Sequence, residues 1–356
     1  MQSEKYDQQK LNNKLKNLQD QLPEFTRDFF RGISDLTQIK TRIAYAFDLR
    51  TFFYYLNKNH ALFEERSGIK DFVVEDMDQI RAVDIEKFSE YLNDYELPHY
   101  TDEQTMIHYS NSAQGKMRKL SALRSFYKYY YKKEMISTNP AVLVDLPKLH
   151  EKPIVRLEPN EIVDLLNSIE NGEQLTSGQK RYYDKNHRRD LSMIALLLGT
   201  GIRISECVGL NISDFDMQNN SFRVIRKGGT QTILFLPEEV KNLLIDYLQT
   251  DRYALIPIDE YSQDATFLSL QKRRMTVSAV EKMLKKYTKY VVPLKNISPH
   301  KLRSTFGTNL YRETGDIYLV ADVLGHKDVN TTKKHYAAID EDRRKIAAKV
   351  TKLRKE

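Results

Sequence analysis

Apolar residues recur every three or four positions through most of the chain, in two blocks separated by a proline-rich stretch. In the first block, residues 5–20 read as a polar helix, Leu22-Pro23 interrupts the pattern, and Phe25, Phe29 and Phe30 restart it. Between Lys40 and Lys58 the residues Ala46, Leu49, Phe53 and Leu56 fall on one stripe, which predicts an amphipathic helix. Asp84 is placed to cap a third helix whose face carries Ile85, Phe88, Leu92 and Tyr95. A polar stretch over 97–111 separates it from a fourth helix with Leu120, Leu123, Tyr127 and Tyr130 inward. The whole block reads as helical. Pro147, Pro153 and Pro159, with charges between them, favour an extended crossing. The expected organisation is therefore a helical domain over 1–146, a linker over 147–158 and a second domain over 159–356.

In the second block Pro159 starts a helix with Ile162, Leu165, Leu166 and Ile169 inward. Residues 171–189 are polar and read as an exposed insertion. Asp190 is placed to cap the next helix, whose run Met193-Ile194-Ala195-Leu196-Leu197-Leu198 is apolar all round and so belongs at the centre of this domain. Ser221 to Arg226 and Gln231 to Leu236 read as two strands about a turn at Lys227-Gly228-Gly229-Thr230. Thr276 or Ser278 starts a helix with Val280, Leu284, Tyr287 and Val291 on one stripe. Ser298-Pro299 starts another, with Leu302, Phe306 and Leu310 at core spacing. Asp316 caps a short helix that Gly325 ends, and Asn330-Thr331-Thr332 begins the next. The tail from Ile339 to Glu356 reads as a charged helix with sparse apolar points. The fold class is mainly α, with a small β-hairpin in the second domain.

The chain has 356 residues, 40% of them hydrophobic, enough for two cores. Its 56 basic against 49 acidic residues give a formal charge of +7, a modest excess that fits a polyanionic partner. The single cysteine, Cys207, excludes an intrachain disulfide and a cysteine-rich metal site, and its apolar setting marks it as a small core residue. No apolar run is long enough to span a membrane, and the charged amino terminus has no secretory pattern, so an intracellular, cytoplasmic protein is expected. Lys116, Lys119, Arg124 and Lys128 lie off the apolar stripe of the fourth helix, as do Lys282, Lys285, Lys286 and Lys289 on the helix after Thr276. Each set reads either as a solvated face or as a face laid on nucleic-acid phosphates.

The candidate chemistry concentrates in the second block. Arg203 follows the most buried helix in the run Thr200-Gly201-Ile202-Arg203-Ile204-Ser205-Glu206, with Glu206 one turn on either to orient it towards an anion or to form a purely structural salt bridge with it. His300 and Arg303 lie three apart near a helix amino terminus, an end that favours anions. His326 follows Leu324-Gly325, and Tyr336 lies ten residues further. A turn lysine is ordinarily solvated, and a tyrosine near a carboxy terminus ordinarily packs. With 22 tyrosines in the chain, the spacing of Tyr336 to the other groups is what singles it out. Two arginines, a lysine, two histidines and a tyrosine suit a pentavalent phosphate attacked by a phenol oxygen.

These motifs, T-G-x-R-x-S-E, a lysine in a hairpin turn, H-x-L-R, L-G-H and a tyrosine ten residues on, resemble the tyrosine recombinase (phage integrase) family, with a match over nearly the whole chain. The added length, through residues 171–189 and the amino terminus, is most like the XerS group of the Xer recombinases. Ser304 stands where many relatives have a second histidine after H-x-L-R. The resemblance implies an all-helical, SAM-like core-binding domain and an α-rich catalytic domain that clamp double-stranded DNA as a homotetramer on two sites. It implies Tyr336 as nucleophile, Arg203 and Arg303 as the phosphate clamp, and His326 as a donor to a non-bridging oxygen. Lys227 is then the general acid, His300 the base or proton shuttle, and Glu206 a support for Arg203. It implies exchange of strands through a 3′-phosphotyrosyl bond and a Holliday junction, with neither metal nor other cofactor. Chromosome dimer resolution, with a DNA translocase as a further partner, stands ahead of integration of a mobile element. A type IB topoisomerase and a binding-only relative are the other readings.

Overall fold

The computed structural model describes residues 2–149, 155–226, 229–326 and 329. The chain divides into two compact units, Met1–Glu151 and Lys152–Glu356, each with its own hydrophobic core. Among the described residues no helix is long and apolar enough to cross a membrane.

The first unit contains α1 (Gln2–Gln19), α2 (Thr26–Gly32), α3 (Ile39–Asn59), α4 (Ala82–Tyr91), β1 (Tyr95–His99), β2 (Asp102–Tyr109) and α5 (Ala113–Lys132). The apolar stripes read from the sequence are its core: Ala46, Leu49, Phe53 and Leu56 of α3 and Leu120, Leu123, Tyr127 and Tyr130 of α5 are all buried. Tyr127 and Tyr130 of α5 are fully buried in this core, whereas Tyr131 is exposed. Tyr130 Oη donates to the carbonyl of Phe25 at 2.6 Å, and its ring lies edge-on to Phe25 and Phe126.

Two expectations for this unit are corrected. The unit is not all-helical, because residues 95–109 form an antiparallel hairpin with Tyr95 opposite Tyr109 and Leu97 opposite Ile107. Only Tyr95 and Leu97 of β1 are buried, so the period-two signal is carried by two side chains in a polar run. Tyr95 therefore belongs to β1 and not to the α4 face. Asp84 is not the N-cap of α4 either. It stands one turn in, where its carboxylate accepts from the backbone N–H of Arg81 at 3.0 Å, the return half of a capping box.

The second unit contains α6 (Pro159–Asn171), α7 (Ser177–Lys180), α8 (His187–Thr200), α9 (Ile204–Gly209), β3 (Phe215–Asp216), β4 (Ser221–Ile225), β5 (Gln231–Phe235), α10 (Glu238–Tyr247), α11 (Val277–Val291), α12 (Pro299–Thr314) and α13 (Ile317–Leu324). As its composition demands, α8 is the centre: Leu191 through Leu197 are buried. Helices α6, α10 and α12 pack around it. Strands β3, β4 and β5 form an antiparallel sheet in that order, and Phe222, Val224 and Leu234 face the core. Cys207 is fully buried there, and burial pushes its thiol pKa up. Leu302 joins the main core, whereas Phe306 and Leu310 pack against a satellite cluster of Tyr311, Val320 and Leu324.

Asp190 does not cap α8, which begins three residues earlier. Its carboxylate is fully buried and takes Arg189 at 2.6 Å, Lys286 Nζ at 3.1 Å and Tyr287 Oη at 3.0 Å. The insertion over 171–189 is polar and holds α7, but its end is not exposed: Asn186 and Arg189 are buried. The expected helix after Asn330 and the tail helix lie outside the described residues.

Candidate active site

Helix α8 ends at Gly201, whose φ of 63° is the left-handed conformation of a helix terminator. A side chain there would also run into the ring of Phe306. The turn sets Arg203 at the N-cap of α9. Glu206 answers with both oxygens: Oε2 accepts from the Arg203 backbone N–H at 2.8 Å, and Oε1 pairs with its guanidinium at 2.7 Å. Glu206 is 8% exposed, so this bond is shielded from solvent.

Helix α12 starts at Pro299 after Ser298, as its sequence requires, and its fifth residue is the buried Arg303. The helix is fixed along its length by Thr305, whose hydroxyl accepts from the backbone N–H of Leu157 at 3.0 Å. Arg303 reaches back across the core to donate to the carbonyl of Gly201 at 2.6 Å, and it also donates to the carbonyl of Leu324. His300, one turn earlier, is exposed.

Helix α13 is capped by Asp316, which accepts from Tyr318 N–H at 2.8 Å and Leu319 N–H at 3.1 Å. It ends at Gly325 with φ 61°, and His326, half-buried, follows with its N–H on the carbonyl of Ala321 at 2.9 Å. The last carbonyls of this helix gather the site. Val323 accepts from Arg226 at 2.7 Å, Leu324 accepts from Arg303, and Gly325 accepts from Arg203 at 3.2 Å. A helix carboxy terminus carries negative partial charge and unsatisfied carbonyls, and guanidiniums suit both. Arginines from three separate elements therefore converge on one helix end.

Arg226 is the participant that sequence reasoning missed. Its Nη1 pairs with Glu206 Oε2 at 3.2 Å, so Glu206 is shared between two guanidiniums. One carboxylate against two guanidiniums leaves an excess positive charge at a partly buried place, which favours an anion. The signal for Arg226 was in the alternation of β4: the period that buries Phe222 and Val224 puts Arg226 on the same inner face. Planar guanidinium forks match the paired oxygens of a phosphate, so the arrangement suits a phosphodiester better than a point cation would.

The structure thus brings together Arg203, Glu206, Arg303 and the turn that carries His326. Lys227 and Tyr336 lie outside the described residues. The candidate DNA-facing lysines separate into two groups. Lys128, Lys282, Lys285 and Lys289 are exposed, and Lys116 is half-buried. Lys119 is corrected: it is 8% exposed and lies 3.5 Å from the buried carboxylate of Asp48. Arg124 is corrected too, since its guanidinium caps the carbonyls of Ala141 and Val144 at 3.1 and 2.5 Å. Lys286 spends its charge on Asp190 and lies over the ring of Tyr287. In each case a second element covers the polar flank of the helix, which a single-helix stripe does not reveal.

A family model described as the phage integrase family matches residues 155–343, a span that includes every one of the candidate catalytic positions. The chain is 31% identical over 318 residues to tyrosine recombinase XerC of Caldanaerobacter subterraneus subsp. tengcongensis, covering 88% of this chain and 82% of that protein. It is 29% identical to tyrosine recombinase XerD of Staphylococcus epidermidis, over 70% of this chain and 83% of that protein. Among solved structures, XerH site-specific recombinase bound to palindromic difH substrate superposes with a TM-score of 0.63 at 20% identity, over 88% of this chain and 79% of that one. The Tn1549 transposon integrase in complex with transposon right end DNA gives 0.62 at 19% identity, over 91% of this chain and 98% of that one. At these identities the two structures speak for the fold.

Proposed function

The chain belongs to the phage integrase family and is an Xer-like tyrosine recombinase, an enzyme of DNA strand breakage and rejoining; we propose that Tyr336 is its nucleophile and that Arg203 and Arg303 hold the scissile phosphate. The observation that carries the reading is the convergence of Arg203 and Arg303 on the carbonyls that precede His326. Two guanidiniums at that place can each take non-bridging oxygens as negative charge builds on the phosphorane. His326 adds a donor to the same oxygens.

A phenol has a pKa of about 10, so Tyr336 needs a proton acceptor at neutral pH, and His300, exposed one turn before Arg303, is the candidate. Lys227, next in sequence after Arg226, is the proposed donor to the leaving 5′-oxygen. Energy of the phosphodiester is kept in the 3′-phosphotyrosyl bond, and a 5′-hydroxyl from a second duplex can reverse the step. Exchange through a Holliday junction then needs four protomers on two double-stranded DNA sites. The basic excess of the chain and the exposed Lys128, Lys282, Lys285 and Lys289 support contact with phosphates.

The likeness to Xer recombinases over most of the chain supports chromosome dimer resolution as the biological role; a DNA translocase as activating partner, and action in the cytoplasm, belong to the same proposal. The test is a nicked suicide duplex carrying the host's candidate chromosomal site. Wild type should form a denaturant-resistant adduct, and Tyr336→Phe should not. An adduct that persists in the variant would assign the nucleophile elsewhere, and binding without an adduct in wild type would leave a binding-only protein.

A further inference from the structure

The reading above gives no role to the buried Arg226. Arg226 is 8% exposed, with Nη1 3.2 Å from Glu206 Oε2 and Nη2 donating to the carbonyl of Val323 at 2.7 Å. The same residue is the root of the hairpin: its N–H donates to the carbonyl of Thr230 at 2.8 Å, and its carbonyl accepts from Gly229 N–H at 3.0 Å. The α13 terminus lies directly on its guanidinium, for a Cβ added at Gly325 would stand 3.2 Å from Nε. One side chain therefore joins the hairpin root, the carboxylate that holds Arg203, and the helix end that holds Arg303. Desolvating a guanidinium is costly, and an apolar residue beside Val224 would fill the inner face of β4 at lower cost. What the arginine adds is registration of the hairpin against the clamp.

We infer that Arg226 is a positioning residue for protonation of the leaving oxygen, setting the next residue in the chain, Lys227, against the scissile phosphate. The inference rests on the proposed role of Lys227 as general acid. In that step the Tyr336 oxygen bonds to phosphorus as the P–O5′ bond breaks. The phenol proton passes to the base, and the 5′-oxygen takes a proton from the lysine ammonium. Nothing is oxidised or reduced, and Arg226 touches none of the reacting atoms.

The test compares two nicked duplexes, one ordinary and one with sulfur in place of the 5′-bridging oxygen. A thiol ionises at a pKa of about 8.5, so a thiolate departs without a general acid, whereas an alkoxide does not. Single-turnover cleavage is measured for wild type, Arg226→Ala, Arg226→Lys, Lys227→Ala and Arg303→Lys, with thermal unfolding and DNA affinity alongside. Arg226→Ala should slow cleavage of the oxygen substrate by about 100-fold and recover most of that on sulfur, as Lys227→Ala should. Arg226→Lys keeps the charge and loses the fork, so a loss of about 10-fold, also recovered on sulfur, is expected, and this variant carries the test if the alanine protein does not fold. Arg303→Lys should be slow on both substrates. Recovery for Lys227→Ala without recovery for either Arg226 variant would overturn the inference and leave Arg226 a purely structural residue. No recovery for Lys227→Ala would overturn the reading of Lys227 itself, and with it the role inferred here.

Discussion

Arg203 and Arg303 stand a hundred residues apart in the chain, yet their guanidiniums end on neighbouring peptide carbonyls, those of Gly325 and Leu324. Each also has a second anchor, Glu206 for Arg203 and the carbonyl of Gly201 for Arg303. The two forks are held in place before any phosphate arrives, which is how a site lowers the reorganisation needed at the moment of reaction.

The Glu206 carboxylate should matter to rate more than to affinity. Glu206→Gln keeps the shape but removes the charge shared by Arg203 and Arg226. Adduct formation should slow by about 10- to 100-fold, with DNA affinity within a few-fold of wild type, measured by single-turnover cleavage and by titration.

Gly325 should resist substitution for two reasons at once. Its φ of 61° costs a side chain about 1 kcal/mol, and a Cβ would press on Arg226. Gly325→Ala should lower unfolding stability by roughly 1–2 kcal/mol and slow cleavage, whereas Gly209→Ala, with open space around its Cβ and within a helix, should do neither.

Asp190 should behave as a buried counter-ion. Asp190→Ala strands Arg189, Lys286 and Tyr287, and a loss of about 3–5 kcal/mol is expected from denaturant unfolding. Lys286→Ala should likewise appear in stability more than in the salt dependence of DNA binding.

The exposed lysines of α11 give the opposite signature. Replacing Lys282, Lys285 or Lys289 by alanine should leave unfolding unchanged. For each one that contacts phosphate, the slope of log affinity against log salt should fall by about 0.9. An unchanged slope for all three would remove α11 from the DNA-facing surface.

Asp48 makes stability depend on pH. Burial pushes its carboxyl up to about 6, against the opposing pull of Lys119 and Arg118. In the unfolded chain the value is about 3.9, so between the two the folded state holds a proton that the unfolded state has released. Raising the pH from about 3 to about 7 should therefore weaken the wild type relative to Asp48→Asn, by roughly 3 kcal/mol in all, with little further change above that.

The sequence made the cores legible because both depend on helical periodicity, and the stripes of α3, α5 and α11 are the buried faces found. It made Arg203, Glu206 and Arg303 legible because each sits at a helix start that its neighbours announce. The hairpin over 95–109 escaped because two buried side chains cannot outweigh a polar run. Asp84 and Asp190 were misplaced for a shared reason: a carboxylate near a helix start can cap, close a capping box or anchor a buried ion pair, and only tertiary neighbours decide. Lys119, Arg124 and Lys286 were misread because the element that covers each lies far away in sequence. Arg226 was readable from β4, whose alternation buries Phe222, Val224 and Arg226 on one face.

The carbonyls at the end of α13 are electrically neutral acceptors. A neutral acceptor orients a guanidinium without cancelling its charge, so the formal positive charge left for a phosphate is not reduced. Yet Arg203, Arg226 and Arg303 lean on successive peptides of one helix end, and altering any of them shifts the footing of the others. Paired substitutions among them should fall well short of the sum of the single effects. The three arginines act as one unit at this helix end, whereas the exposed lysines of α11, which share none of these acceptors, should combine additively.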